Sequence, residues 1–331
     1  MKRTMLLMFV LLLGAAPPKG CEGKAKLFAR VPAPAFPEGV AVDRGRVYVS
    51  GPATFGTAGQ GPSAVWVYGA DGRLLQTWSV QGEALQYEHG LSCLAVDGAG
   101  RIYVLSTQLG VLRFNRDTGA QSTYAPPFPM LPTTPPYLFP LPNDLAFDAD
   151  GALFVSDSLQ GAIFRIPPGG GAAQVWLQDT RLQTPFGPNG LRIDPENRFV
   201  YFTLTTDTDG ASGVLYRVPL RGGPLETVHT YTAGEAPDGL AFGSSGRIYV
   251  ALAHANAISV LDRDGHEIER YSAALADGTP IDGPANIAFA VPGFALVTNH
   301  APVSRIFENM VVFSLGVPEL GGPLFRPMIA P

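Results

Sequence analysis

The sequence has only two cysteines, Cys21 and Cys93, among its 331 residues. So few cysteines cannot form the disulfide framework of a small secreted domain, and no cysteine–histidine spacing typical of zinc sites is present. Cys93 lies within a short apolar segment, and we interpret it as a small buried hydrophobic residue. A disulfide scaffold and a structural zinc site are therefore excluded.

Charge is also scarce. Charged residues make up 15% of the chain, the formal net charge is −5, and the 23 lysines and arginines are scattered along it. Nucleic-acid binding requires a basic patch or stripe, which this distribution does not provide. Hydrophobic residues reach 46%, with 39 glycines and 31 prolines. This composition is typical of a turn-rich globular protein and argues against a disordered chain.

No apolar run is long enough to span a bilayer comfortably. Lys2 and Arg3 precede an apolar run at residues 5–16, which has the charge and length of a secretory signal. We therefore expect residues 1–20 to be a signal peptide and residues 21–331 to form the mature, exported protein, periplasmic or extracellular.

Cys21 is a candidate site for a lipid anchor that would attach the protein to a membrane. It follows Gly20, as a bacterial lipoprotein cysteine follows its signal, although Pro18 and Lys19 do not suit that signal. A lipid anchor at Cys21 remains an alternative to a freely diffusing protein. We expect no other membrane association.

Sustained helical periodicity is missing as well, and short β-branched and aromatic segments take its place. One sequence motif recurs in six copies: a polar residue, a short apolar strand, a turn and a second strand. The copies are separated by 46–54 residues, and the aligned polar position holds Glu38, Ser92, Asn143, Asn189, Asp238 and Ala285. A repeat of this length is the signature of a propeller or solenoid.

Four strands fit into each copy. In the third copy they are predicted at residues 145–148, 153–156, 162–166 and 174–177, joined by glycine-rich turns. Four strands per repeat predict an all-β, six-bladed β-propeller with four antiparallel strands per blade. Since an open ring would expose strand edges, we expect the N-terminal strand near residues 26–31 to complete the sixth blade. The tail at residues 323–326 is the alternative.

The first strand of each blade lines the central channel, so residues in the same phase of the repeat converge there. Glu38, Asn143, Asn189 and Asp238 therefore meet at one mouth, all as oxygen donors. Oxygen donors with two negative charges suit Ca²⁺, with another divalent cation as the alternative, whereas zinc prefers nitrogen or sulfur. Any one of these motifs alone is an ordinary turn. Their common phase favours a metal site.

Glu38, Asn143, Asn189 and Asp238, in this order on inner strands, resemble the regucalcin/gluconolactonase/luciferin-regenerating enzyme-like family. The resemblance covers about residues 26–315. It implies a six-bladed propeller, one catalytic Ca²⁺ held by those four residues, and hydrolysis of a lactone or related ester. Sugar-lactone members carry an arginine two residues before the first asparagine. This chain has Leu141 there, which argues against sugar-acid lactones.

Further residues are expected to surround the mouth. The segment 121–142, with eight prolines and four aromatic residues, predicts a stiff apolar lid, and Phe186 adds to an apolar cavity. His254 and His300 follow second strands, which places them on the rim as candidate catalytic residues, because imidazoles relay protons near neutral pH. His89 is a weaker candidate. Asp238 is predicted both to bind the metal and to handle the proton.

Together these features predict a secreted, monomeric, Ca²⁺-dependent hydrolase acting on a small apolar lactone or ester. The alternative from a different class is a non-catalytic binding propeller with a structural calcium, because six-bladed propellers host unrelated functions. Turnover that depends on the metal distinguishes the two.

Overall fold

The structure, a computed structural model, describes residues 22–135 and 138–330. The predicted signal peptide, residues 1–20, and Cys21 lie outside the described residues. Six four-stranded antiparallel sheets contain 24 strands, and the only helices in the described part are 3-10 turns at Thr180–Leu182 and Phe307–Asn309. In these ranges no helix has the length and apolarity to cross a membrane. The predicted all-β, six-bladed propeller is confirmed.

The chain enters through β1 (Ala25–Arg30) and then builds each blade from the channel outward. Blade 1 contains β2 (Val40–Asp43), β3 (Arg46–Gly51), β4 (Ala64–Gly69) and β5 (Leu74–Ser79). Blade 2 contains β6 (Leu91–Val96), β7 (Ile102–Ser106), β8 (Gly110–Phe114) and β9 (Gln121–Ala125). Blade 3 contains β10 (Pro142–Phe147), β11 (Leu153–Asp157), β12 (Ala162–Ile166) and β13 (Gln174–Gln178).

The remaining blades repeat this order. Blade 4 contains β14 (Pro188–Ile193), β15 (Phe199–Leu204), β16 (Val214–Pro219) and β17 (Glu226–Thr230). Blade 5 contains β18 (Pro237–Phe242), β19 (Ile248–Leu252), β20 (Ala257–Leu261) and β21 (Glu267–Tyr271). Blade 6 contains β22 (Pro284–Val291), β23 (Phe294–Asn299) and β24 (Val311–Gly316), with β1 as its outermost strand.

Closure by the N-terminal strand is confirmed. β1 pairs antiparallel with β24, from Ala25 opposite Leu315 to Arg30 opposite Val311. The C-terminal tail, the alternative for this position, instead crosses the far end of the channel. There Glu319 accepts a hydrogen bond from the Tyr249 hydroxyl of blade 5 at 2.9 Å, and Arg326 Nη1 donates to Asp43 Oδ1 of blade 1 at 2.6 Å. The tail thus ties together blades on either side of the sixth.

Neighbouring blades pack through a repeated aromatic contact. A tyrosine on the second strand of one blade lies edge-on to a phenylalanine on the inner strand of the next, with ring centroids 5.0–5.3 Å apart. Such T-shaped pairs match the positive ring edge to the negative ring face. The pairs are Tyr103–Phe147, Tyr201–Phe242 and Tyr249–Phe289. They fix the spacing of the inner strands that carry the site.

The inner strands are irregular where they enter the channel. In five blades the pairing of first and second strands shifts register over the same interval, which in blade 3 lies between Pro142 and Leu145. A bulge of this kind re-aims side chains and is frequent beside active sites. In blade 3 it lets two consecutive residues, Asn143 and Asp144, both reach the channel.

Candidate metal centre and active site

A cavity of about 820 Å³ opens at the end of the channel where the inner strands begin. Its wall combines a polar floor with a largely apolar side. The four predicted ligands Glu38, Asn143, Asn189 and Asp238 and the predicted catalytic histidines His254 and His300 all line this cavity. The structure therefore brings every predicted site residue together, although the closest two of the four predicted ligands are 46 residues apart in sequence.

The four predicted ligands are buried, with exposed fractions of 3–8%. The two other positions of the ring contribute little. Ala285 has no donor atom, and the Ser92 hydroxyl already donates to the carbonyl oxygen of Pro142 at 2.7 Å. The ring therefore offers two carboxylates and two amides.

The orientation of the two amides fits a cation. Asn143 Nδ2 donates to Ser158 Oγ at 3.1 Å, and Asn189 Nδ2 donates to Thr205 Oγ1 at 2.9 Å. Each amide oxygen is buried and has no hydrogen-bond partner among the described residues. Buried polar atoms without partners are rare because they lose the free energy of hydration. Two such oxygens beside two carboxylates form the donor set that a hard cation prefers.

The carboxylates point to the same conclusion. Burial, followed by the charges of Asp238 and Asp144, raises the pKa of Glu38 well above its usual value. Burial and then the charge of Asp144 likewise raise the pKa of Asp238. Negative charge is thus unfavourable here unless a positive charge balances it. A divalent cation would supply that balance.

Hydroxyl groups on the second strands hold the backbone at four of the aligned ring positions, three of them predicted ligands, and the sequence analysis did not identify these hydroxyl groups. Each donates across the blade boundary to the carbonyl oxygen of a residue at the aligned ring position, at 2.5–2.7 Å. The pairs are Ser50 to Ser92, Ser156 to Asn189, Thr203 to Asp238 and Thr298 to Glu38. The sequence does carry a signal for these hydroxyl groups, because a serine or threonine occurs at the same position of four second strands.

The two predicted catalytic histidines differ in their surroundings. His300 is 9% exposed, its Nδ1 lies 3.2 Å from Glu38 Oε2, and its ring meets the Phe36 ring edge-on. Burial lowers the pKa of His300 to about 4, so the ring is neutral at neutral pH. His254 is exposed on the rim of the same cavity. His300 therefore contacts a predicted ligand, whereas His254 faces the entrance.

His89, the weaker candidate, lines the cavity wall as a structural residue. It is 2% exposed, and its Nδ1 and Nε2 lie 2.9 Å and 3.0 Å from the carbonyl oxygens of Tyr87 and Gly61. Both nitrogens must carry a proton to donate to two carbonyls, which requires the imidazolium form. Burial opposes this charge, but the two carbonyls, with Glu83 and Glu88, raise the pKa of His89 overall.

The two hydrogen bonds of His89 to backbone carbonyls form what we call the imidazolium clamp. This clamp should make the free energy of unfolding depend on pH. A folded-state pKa above the unfolded value, about 6.5, means that protonation favours the folded state. The contribution of His89 is complete below that unfolded value and is lost as the pH rises through the folded pKa. The difference in unfolding free energy between wild type and His89→Gln, measured with urea from pH 5.5 to 9, should therefore shrink toward high pH. A difference independent of pH would contradict the imidazolium clamp.

The proline-rich segment covers less of the cavity than predicted. Tyr124 belongs to β9 and packs against Tyr103, and Phe128 packs against Phe164, so both join the flank of the blades. Pro136 and Tyr137 lie outside the described residues. Phe139 lines the cavity with Leu141, and its ring meets Phe55 of blade 1 at 6.3 Å. The predicted position of Phe186 in the wall is confirmed.

A second polar layer lies one position further along the inner strands. Asp144 is fully buried, and its Oδ2 accepts hydrogen bonds from Arg192 Nη1 at 2.6 Å and from the Leu191 N–H at 2.9 Å. Arg192 Nη2 donates to Asn286 Oδ1 at 2.8 Å, and Asn286 Nδ2 donates to Cys93 Sγ at 2.8 Å. Cys93 is buried as expected. This network closes the channel beneath the predicted ligands.

Among the described residues, a second cluster of potential metal ligands lies outside the cavity. Asp262, Asp264 and His266 form an exposed cluster in the turn between β20 and β21. Asp262 Oδ1 accepts the N–H groups of residues 264 and 266, both at 2.9 Å. These bonds are those of a side chain that caps its own turn, so the cluster is explained without an ion.

Comparison with known proteins agrees with this geometry. A family model described as "SMP-30/Gluconolactonase/LRE-like region" matches residues 60–295. A search of curated protein sequences found no significant match. Among solved structures, regucalcin from Agrobacterium tumefaciens, described as a calcium-binding protein, is similar over 96% of this chain and 98% of its own, with 20% identity and a TM-score of 0.63.

Two further solved structures show the same fold. A putative gluconolactonase is 18% identical, with a TM-score of 0.61 over 93% of this chain and 96% of its own. A gluconolactonase from Xanthomonas campestris is 17% identical, with a TM-score of 0.59 over 88% of each chain.

Proposed function

Because this chain belongs to the SMP-30/gluconolactonase/LRE-like family, we propose that it is a Ca²⁺-dependent hydrolase of a lactone or related ester. The family match covers most of the chain. The observation that carries the proposal is the pair of buried amide oxygens, of Asn143 and Asn189, which lack partners beside two carboxylates with raised pKa values.

Calcium is the cation we propose for this donor set. Ca²⁺ accepts about six to eight oxygen ligands, so four protein ligands leave room for substrate and water. Glu38, Asn143, Asn189 and Asp238 would hold the ion. Regucalcin, one of the similar structures, is described as calcium-binding, and this supports the choice over another divalent cation.

When bound, the ion would polarise the substrate carbonyl and stabilise negative charge that develops on its oxygen. The proton of the attacking water is assigned to Asp238, because a carboxylate that lines the cavity floor can accept a proton from water there. His300, held against Glu38, would orient that carboxylate, and His254 would exchange protons with solvent at the rim.

We propose a small and mainly apolar substrate, because Phe55, Phe139, Leu141 and Phe186 form much of the cavity wall. A monomer matches the closed ring of blades. Export as a periplasmic or extracellular protein is proposed from the charged and apolar pattern of the first 20 residues. N-terminal sequencing of the mature protein would check the cleavage and, with mass spectrometry, the alternative of a lipid on Cys21.

The test combines turnover and stability. Chelator-treated protein should hydrolyse a panel of lactones and aryl esters only after Ca²⁺ is restored. A hundredfold excess of Ca²⁺ over its Kd should stabilise the fold by about 2.7 kcal/mol, which raises Tm by roughly 4 °C. Asp264→Asn, in the exposed cluster, is the matched control and should respond like wild type. Stabilisation without turnover would favour the binding propeller, and an identical Tm with no bound ion would refute the metal site.

A further inference from the structure

The cavity contains one strongly basic side chain, and its position is informative. Of the residues that line the cavity, Arg305 is the only arginine or lysine in the part of the chain that the structure describes. It lies in the loop between β23 and β24 of blade 6. The apolar residues Leu141 and Phe186 lie before the inner strands of blades 3 and 4. Arg305 therefore lies across the cavity from these two apolar residues, in a wall that also includes Phe55 and the carboxylate of Glu88.

Arg305 is held in place without being neutralised. Its guanidinium lies 4.7 Å from the centre of the Phe36 ring, and Nη1 donates to Thr54 Oγ1 at 3.3 Å. Among the described residues, no carboxylate lies within ion-pair distance of it. An aromatic face attracts a guanidinium and still leaves its in-plane N–H groups available for an anion.

The loop backbone supports this placement. Arg305 has φ = 55°, a left-handed conformation that costs a non-glycine residue about 1 kcal/mol, and its N–H donates to Ala301 O at 3.0 Å. The buried carboxylate of Asp282 accepts from Ser304 Oγ at 2.5 Å and from Asn309 Nδ2 at 2.7 Å. The loop is thus pinned directly before Arg305 and near its C-terminal end, so a defined backbone presents Arg305 to the cavity.

Contacts connect Arg305 to the metal centre. The Arg305 guanidinium lies over the face of the Phe36 ring, and the His300 ring packs against Phe36 in a T-shaped contact. His300 Nδ1 in turn lies 3.2 Å from Glu38 Oε2. Two side chains therefore separate the cationic group from the predicted ligands. If the scissile carbonyl of a substrate lies at the cavity floor, only a second group of that substrate, distant from the carbonyl, would reach Arg305.

We propose that Arg305 is a specificity-determining residue that binds a carboxylate carried by the substrate, away from the bond that is hydrolysed. This inference rests on the proposed hydrolase function and narrows its substrate class to amphipathic lactones or esters with one anionic end. A planar guanidinium recognises a carboxylate through two parallel N–H bonds, which lysine cannot reproduce.

The kinetic test uses matched substrates: an aryl ester with a free terminal carboxylate and the same ester with that carboxylate amidated. Wild type should favour the anionic ester, and Arg305→Met should raise its KM by about tenfold or more while changing the neutral ester little. Arg305→Lys should give an intermediate KM. Arg73→Met, an exposed arginine on blade 1, is the control. Equal effects of Arg305→Met on both esters would overturn the inference.

A binding measurement separates this inference from the proposed function. Calorimetry would measure the binding of 4-phenylbutyrate and of 4-phenylbutanol in the presence of a chelator. The chelator removes any bound metal, so the carboxylate of the acid cannot bind to a metal ion. Binding of the acid alone that disappears in Arg305→Met would support the inference even if no ester were hydrolysed. Ester hydrolysis with equal binding of acid and alcohol would leave the proposed function intact and refute the role of Arg305.

Discussion

Asp238→Asn is expected to lower turnover on the order of a thousandfold while the propeller remains folded. The substitution keeps the shape and one oxygen donor, but it removes the proton acceptor and one negative charge. Proton transfer by a positioned side chain contributes roughly 10²–10⁴-fold to rate. Single-turnover kinetics with Ca²⁺ held in excess over the Kd of each variant would measure the loss at full metal occupancy.

Stability should move in the opposite direction to activity. Burial and Asp144 raise the pKa of Asp238, so its ionised form is unfavourable in the metal-free protein. Asp238→Asn removes that charge, and the Tm in chelator should therefore equal or exceed that of wild type. The Tm gain on adding Ca²⁺ should become smaller, because one charged ligand is lost.

Asp194→Asn is the matched control, since it makes the same change after the far end of β14, where Asp194 accepts the backbone N–H of Phe199. It should leave turnover unchanged. Near-normal turnover of Asp238→Asn at saturating Ca²⁺ would remove Asp238 from the proton transfer. A large fall in the Tm of Asp238→Asn, measured in the presence of chelator, would instead show that Asp238 has a structural role.

The phase of the repeat was enough to predict where the four predicted ligands meet. A β-strand alternates its side chains with a period of two, and a propeller turns equivalent positions toward one axis, so Glu38, Asn143, Asn189 and Asp238 converge in any correct alignment of the copies. N-terminal closure followed from the cost of an open strand edge. These results depend on geometry shared by all blades.

Features that break the repeat were harder to predict. Two consecutive residues, Asn143 and Asp144, reach the channel only because a bulge interrupts the alternation. β9 extends as far as Ala125, which draws Tyr124 into the flank and shortens the lid. The C-terminal tail carries apolar residues that suggest a strand, yet it forms a strap across the channel end. Each depends on tertiary contacts that local sequence does not encode.

Arg192 is another break in the repeat. Three residues after the ring position, the other five inner strands carry alanine, and only blade 4 carries arginine. The alanines are Ala41, Ala95, Ala146, Ala241 and Ala288. The small residues leave a cavity of about 330 Å³ in the channel, and Arg192 lines it while its guanidinium pairs with Asp144. The pattern was present in the sequence, but its meaning required knowing that Asp144 also faces the channel.

Arg192→Met is expected to destabilise the protein by about 3–5 kcal/mol, because breaking a buried ion pair leaves an uncompensated charge. Asp144 is fully buried and would keep only backbone and amide donors. For a chain of this length the change corresponds to a fall in Tm of roughly 4–7 °C. Arg198→Met is the control: that side chain is exposed and its ion pairs with Asp194 and Glu196 are long, at 3.7 and 3.8 Å, so its loss should cost little.

The double variant Asp144→Asn/Arg192→Met decides whether the charge is the cause. It removes both charges, so it should recover most of the lost Tm, whereas a packing defect at Arg192 would persist. Calcium adds a second criterion, because Glu38, Asp238 and Asp144 carry three negative charges when all are ionised, and Arg192 with one Ca²⁺ would balance them. Without Arg192, the ion would supply the positive charge that Asp144 has lost. The Tm gain on adding Ca²⁺ should therefore be larger in Arg192→Met than in wild type, and an equal or smaller gain would disprove this charge balance.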